Sequence, residues 1–119
     1  MQAAPFPRAR LAFGILVLSA ITAGTAPAHA ADAAKGRKIA AVKCQMCHGL
    51  DGQAKLPQAP NLAGQVESYL VAQMQAFRSG ARKNDMMSLV VPTLSEDDVA
   101  DLAAYYAAIE VTIGKVPGE

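Results

Sequence analysis

The chain has 119 residues, 11 of them basic and 10 acidic, for a formal net charge of +1. That balance, without a basic patch, argues against nucleic-acid binding, and the length suits one small domain. Two cysteines allow at most one disulfide, which excludes a scaffold stapled by several.

Residues 1–10 carry Arg8 and Arg10 and no acid, and an apolar run of thirteen residues follows from Leu11 to Ala23. Pro27 and the triplet Ala28-His29-Ala30 come next. A basic start, a short apolar run and an A-x-A site predict a secretory signal peptide over residues 1–30, cleaved between Ala30 and Ala31. A membrane span needs about 20 apolar residues, so the run is too short for an anchor, and the processed chain is not expected to span a membrane. What remains is one domain, residues 31–119. It loses Arg8 and Arg10 but keeps all ten acids, giving a formal charge of −1. Its aromatics are Tyr69, Phe77, Tyr105 and Tyr106. A domain this small has trouble stabilising itself on its own core, and a large apolar cofactor would solve the problem.

Residues 33–43 read as a helix with Ala34, Ile39 and Val42 as apolar points and Asp32 as N-cap. Residues 49–64 are loop, with Gly49, Gly52, Pro57, Pro60, Asn61 and Gly64 breaking any period. Residues 66–78 read as a second helix, since Val66, Leu70, Met74 and Phe77 share one face, and Gly80 marks its stop. Residues 81–95 are irregular. Residues 96–109 form the clearest helix. Ser95 and Asp98 resemble a capping box, and Glu96, Asp97 and Asp98 suit the positive end of the helix dipole. Val99, Leu102, Ala103, Tyr106 and Ile109 make its apolar face. The tail from Val111 is expected to be loosely held. The expected fold is all-α: three helices joined by long loops.

The segment Cys44-Gln45-Met46-Cys47-His48 is C-x-x-C-H, the attachment signature for c-type haem. Two cysteines three apart on a tight turn can each bond a vinyl group on one porphyrin edge. The next residue then presents its imidazole to the iron. A redox-active C-x-x-C would follow a strand, and none precedes Cys44. A zinc site needs four ligands, and no second cysteine or histidine pair exists. A plain Cys44–Cys47 disulfide is compatible with an oxidising compartment but leaves His48 without a role.

His29 falls in the expected leader, so the processed chain has one histidine and bis-histidine ligation within it is excluded. Methionine is the natural second axial ligand, and Met/His ligation raises the reduction potential. Met46 lies inside the attachment turn, and Met74 in a helical apolar stripe. Met86 and Met87 lie about forty residues past His48, enough chain to return over the far face. The residues alone do not separate those two.

The motifs C-Q-M-C-H-G-L-D-G, P-N-L-A-G-Q, Y-L-x-x-Q, R-x-N-D-M-M and L-S-x-x-D-x-A-D-L-A-A-Y-Y, from Ala33 to Ala108, closely resemble class I cytochromes c. They are most similar to the dihaem c-four-type cytochromes and their single-haem relatives. With one C-x-x-C-H, the chain resembles one half of a dihaem member. The resemblance implies the cytochrome c fold wrapped around one covalent haem c. It implies Met87, eight residues before Ser95, as the axial methionine, with Met86 as the alternative. Asp85 stands where many relatives carry a proline before the methionines. The resemblance also implies that the Pro60 carbonyl binds the far nitrogen of His48, and that the first and last helices cross closely at Gly36 and Tyr105, with Leu102 one turn back.

The expected function is that of a periplasmic single-electron carrier, not an enzyme in itself, meeting redox proteins transiently as donor and acceptor. Lys55, Arg82 and Lys83 are candidate rim residues for such encounters. The alternative is a haem c subunit of a periplasmic dehydrogenase complex. A five-coordinate, ligand-binding haem is a third reading, if neither methionine binds.

Overall fold

The computed structural model describes residues 29–118. The expected leader lies outside them except for His29 and Ala30, so its structure is not described. Among the described residues there are five α-helices and no strand: α1 (Ala33–Lys43), α2 (Gln45–His48), α3 (Glu67–Ser79), α4 (Met87–Val90) and α5 (Glu96–Ala107), with a 3₁₀ turn at Val91–Thr93 before α5. None is long and apolar enough to cross a membrane.

The three longer helices fall where periodicity places them, and local chemistry sets their ends. The Asp32 carboxylate accepts from the backbone N–H groups of Ala34 at 2.9 Å and Lys35 at 3.2 Å, closing the start of α1. At α5, Asp98 N–H donates to Ser95 Oγ at 3.0 Å, and Ser95 N–H donates to Asp98 Oδ2 at 2.9 Å. Aspartate therefore completes the reciprocal capping box usually closed by Glu or Gln. Gly80 ends α3 in the left-handed conformation, φ 77°. The two short helices differ from the expectation of three. The attachment turn itself is helical, and so is the segment beginning at Met87.

The core is small and centred on α5. Ala40, Leu70, Leu94, Val99, Leu102, Ala103 and Tyr106 form one buried cluster, with Ile39, Met74 and Ile109 packed against it. The inward face of α1 is the expected one only in part: Ile39 packs against the core, and Gly36 is buried at the crossing with α5 that the resemblance implies. Ala34 is exposed and Val42 is 80% exposed, whereas Gly36 and Ala40 are buried. The reason is the close crossing of α1 with α5. A Cβ on Gly36 would fall on the Asp101 carbonyl and lie 2.9 Å from Tyr105 Cβ, so the smallest side chains, not the largest, face the partner helix. Val66 is also corrected. It is the N-cap of α3 and is exposed, outside the stripe that buries Leu70 and Phe77.

Asp101 is a second departure, lying within the buried face of α5 at 3% exposure. Its Oδ1 accepts from the backbone N–H of Asp32 at 2.7 Å and lies 2.8 Å from His29 Nε2. The tail beyond Glu110 forms no helix or strand, although Gly64 N–H donates to the Tyr106 carbonyl at 2.9 Å and Val111 lies against Gly64.

Candidate functional site

All five helices and the 56–65 loop border one cavity of about 970 Å³. This is at the upper end of the usual range for ligand pockets, about 300–1,000 Å³. Cys44, Met46, Cys47 and His48 line one side. Pro60 and Leu62 come from the loop, Leu70, Met74 and Phe77 from α3, and Leu102 and Tyr106 from α5. Met86, Met87, Val90, Val91 and Leu94 complete the wall.

The turn carrying Cys44, Cys47 and His48 is held from several directions. His48 N–H donates to the Cys44 carbonyl at 2.9 Å, and Gly49 N–H to the Gln45 carbonyl at 3.0 Å. Lys55 N–H donates to the Cys47 carbonyl at 2.8 Å. Gly49 leaves the turn at φ 71°, a conformation that suits glycine. From α5, the Tyr106 hydroxyl donates to the Gly49 carbonyl at 3.1 Å, and the Tyr105 hydroxyl donates to the Leu50 carbonyl.

His48 is 6% exposed. Its Nδ1 lies 2.9 Å from the Pro60 carbonyl oxygen. A carbonyl can only accept, so Nδ1 carries the proton and donates, which leaves the Nε2 lone pair free to bind a metal. Cys44 and Cys47 are both free thiols, each partly buried. Burial pushes the Cys44 thiol up to about 11. Burial also raises the Tyr106 phenol well above its ordinary value, with Cys44 adding to the effect.

Met86 and Met87 are brought to the cavity by a residue the sequence reasoning passed over. The Asn84 side-chain oxygen accepts from the backbone N–H groups of Met86 and Met87, both at 3.0 Å. Asn84 N–H in turn donates to Ser88 Oγ at 3.0 Å. Asparagine accepting two or three residues ahead is the ordinary chemistry of a helix start, and Asn84 ahead of the methionine pair was its signal. Met87 is partly buried, whereas Met86 is 59% exposed. Met74 is partly buried and packs on the core cluster. Met46 is 82% exposed at the cavity mouth.

The three candidate rim cations differ in setting. Arg82 lines the cavity, with its guanidinium 4.6 Å from the Phe77 ring centroid and Nη1 donating to Gln73 Oε1 at 2.6 Å. Lys55 pairs with Asp51 Oδ2 at 2.9 Å. Lys83 borders a separate shallow groove at the end of α3.

The cytochrome c family profile matches residues 33–108. The chain belongs to the cytochrome c family. It is similar to cytochrome c4 of Pseudomonas aeruginosa, 45% identical over 102 residues, covering 84% of this chain and 50% of that protein. It is 46% identical over 85 residues to cytochrome c-554(548) of Halomonas halodenitrificans, covering 68% of this chain and all of that one. A thiosulfate dehydrogenase electron acceptor of Stutzerimonas stutzeri is 40% identical over 70 residues, 56% of this chain and 32% of that protein. The crystal structure of reduced cytochrome c4 from Pseudomonas stutzeri superposes with a TM-score of 0.64 at 37% identity, covering 71% of this chain and 49% of that one. This cytochrome c thus spans about half the length of the c4 proteins it matches, consistent with a single-haem half, and its all-α architecture is the cytochrome c fold.

Haem c is the cofactor of this family, and the residues around the cavity fit it. Two thiols stand three residues apart, an adjacent imidazole has a free nitrogen, thioethers lie on the wall, and most of the remaining lining is apolar. Among the described residues no three His, Cys, Asp or Glu side chains gather into a metal cluster.

Proposed function

We propose that this cytochrome c is a periplasmic single-electron carrier holding one haem c, bonded through Cys44 and Cys47, with His48 and Met87 as axial ligands. When bound, the haem supplies an iron that alternates between the ferric and ferrous states. The observation that carries the reading is the His48–Pro60 hydrogen bond, which fixes the imidazole tautomer beside the two thiols. Such a bond orients a ligating ring and makes it a better donor.

The residues divide the remaining work. A methionine thioether is soft and neutral, so it favours the less charged ferrous state and raises the potential. The partial burial of Met87 against the exposure of Met86 favours Met87, and Asn84 positions both backbones. Leu70, Phe77, Val91, Leu94 and Leu102 exclude water, which limits reorganisation around a changing charge. Encounters with donor and acceptor proteins would use a small interface of the transient kind. Export follows from the predicted signal peptide, with processing between Ala30 and Ala31. Were His48 and Met87 both to bind the iron, no position would stay open for a substrate, which supports a carrier role over an enzymatic one.

Expression in a host that matures c-type cytochromes tests this reading. The exported protein should weigh the mass of residues 31–119 plus one haem. A mass equal to the amino acids alone would refute it. His48→Ala should yield no stable low-spin holoprotein, and an intact low-spin spectrum in that variant would count against the ligand scheme.

The similarity to a thiosulfate dehydrogenase electron acceptor favours a second reading, in which the chain is the permanent electron outlet of a periplasmic dehydrogenase. Stoichiometric co-purification with a second polypeptide would select it over the free carrier.

A further inference from the structure

Asp101 does not line the cavity, yet it is the most deeply buried carboxylate of α5. A buried charge is costly unless it is paired and hydrogen-bonded. Its partners come from the segment that enters α1: the Asp32 N–H at 2.7 Å and His29 Nε2 at 2.8 Å, both on Oδ1. Among the described residues Oδ2 is not left as a buried atom without a partner, and both of these donors fall on Oδ1. Among the described residues no lysine or arginine nitrogen lies within 4.0 Å of Asp101; Lys35 Nζ is 4.0 Å from Asp32 instead.

Ala31 stands in the chain between His29 and Asp32, and it is exposed. Hydrolysis of the Ala30–Ala31 peptide bond consumes water, leaves a carboxylate on Ala30 and an ammonium on Ala31, and removes His29. The carboxylate loses its imidazole in the same event that creates a cation one residue from its remaining backbone donor.

We infer that Asp101 is a built receptor for the α-ammonium of the processed chain, its ligand being the protein's own new amino terminus. The inference rests on the processing step proposed above. The titratable groups around Asp101 are His29, Asp32 and Lys35 on the α1 side and Asp97 on its own helix. The carboxylate already holds the imidazole, with His29 Nε2 2.8 Å from its Oδ1. That hydrogen bond raises the His29 pKa. Burial pushes Asp101 up, but hydrogen bonds from Asp32 N–H and His29 outweigh burial and hold it below the usual carboxylate value.

The test uses the exported holoprotein. Intact mass first identifies the terminus, and competitive acetylation, read on the N-terminal peptide, then reports the reactivity of the Ala31 amine. An ordinary α-amino group titrates at about 7.7–8.0, and each unit of upward shift lowers the free-amine fraction tenfold. At pH 7 the wild-type amine should react about tenfold more slowly than that of Asp101→Asn, while Asp97→Asn stays close to wild type. Equal rates in wild type and Asp101→Asn, with the terminus at Ala31, would overturn the inference alone. A terminus elsewhere would overturn it together with the cleavage site.

Should Asp101→Asn fail to fold, N-acetylated wild type supplies the comparison. A raised ammonium pKa contributes stability that is complete below pH of about 7.7 and is lost as pH rises through the folded value. The free-amine protein should lose melting temperature over that alkaline range and the acetylated protein should not. Superimposable profiles would overturn the inference.

Discussion

Gly36→Ala is the sharpest available perturbation of the helix crossing. The added methyl would fall on the carbonyl oxygen of Asp101 and lie 2.9 Å from Tyr105 Cβ. The first obstacle is backbone and cannot rotate away, so α1 and α5 must separate. Overpacking of a well-packed site costs about 1–3 kcal/mol, occasionally more, and this geometry belongs at the upper end. For a domain of this size about 3 kcal/mol lowers Tm by roughly 12–24 °C. Gly80→Ala is the matched control. Its φ of 77° disfavours a side chain, but nothing lies within 4 Å of the added carbon. The left-handed conformation costs roughly 1–2 kcal/mol, offset by about 0.4–1 kcal/mol through the stiffer unfolded chain. Its Tm should therefore fall by only about 5 °C. Thermal unfolding of the ferric holoproteins, followed by far-ultraviolet circular dichroism, separates the two. A Gly36→Ala protein melting within about 4 °C of wild type, or above Gly80→Ala, would refute the close-crossing argument.

Met87→Ala should abolish the ferric charge-transfer band diagnostic of methionine ligation and lower the reduction potential, whereas Met86→Ala should keep both; the reverse result moves the ligand by one position. Asn84→Ala removes the acceptor shared by the Met86 and Met87 N–H groups. It should cost about 1–2 kcal/mol, and the same band should bleach at lower denaturant concentration than the helical signal is lost. Ser95→Ala opens the capping box of α5 and should cost about 1 kcal/mol, read as a lower midpoint in urea with the slope and the potential unchanged.

Features set by local chemistry were legible in the residues. Asp32 and Ser95 cap their helices because a short polar side chain reaches a free N–H without help from the rest of the fold. The attachment turn is equally local. What escaped was set by partners distant in the chain. Of the apolar points of α1, Ile39 packs against the core but Ala34 and Val42 are exposed; apolar spacing alone does not point to Gly36, which the resemblance places at the crossing and which a crossing this close requires. Asp101 was invisible as a buried group, since its partners lie about seventy residues away. Asn84 carried a readable signal, but the surrounding polar residues hid a one-turn helix too short to show a period.

The Tyr106 hydroxyl reaches the carbonyl of Gly49, 57 residues away in the chain. That carbonyl belongs to the residue directly after His48. Tyr106 therefore works as a strut, tying the helix that crosses α1 to the backbone one residue beyond the imidazole. Tilting α5 would tug on that backbone, and wear at the crossing would be felt as drift at the proximal ring. Drift there would broaden the spread of driving forces from one molecule to the next. Substitutions far from the cavity can thus be filtered by electron-transfer fidelity as well as by folding.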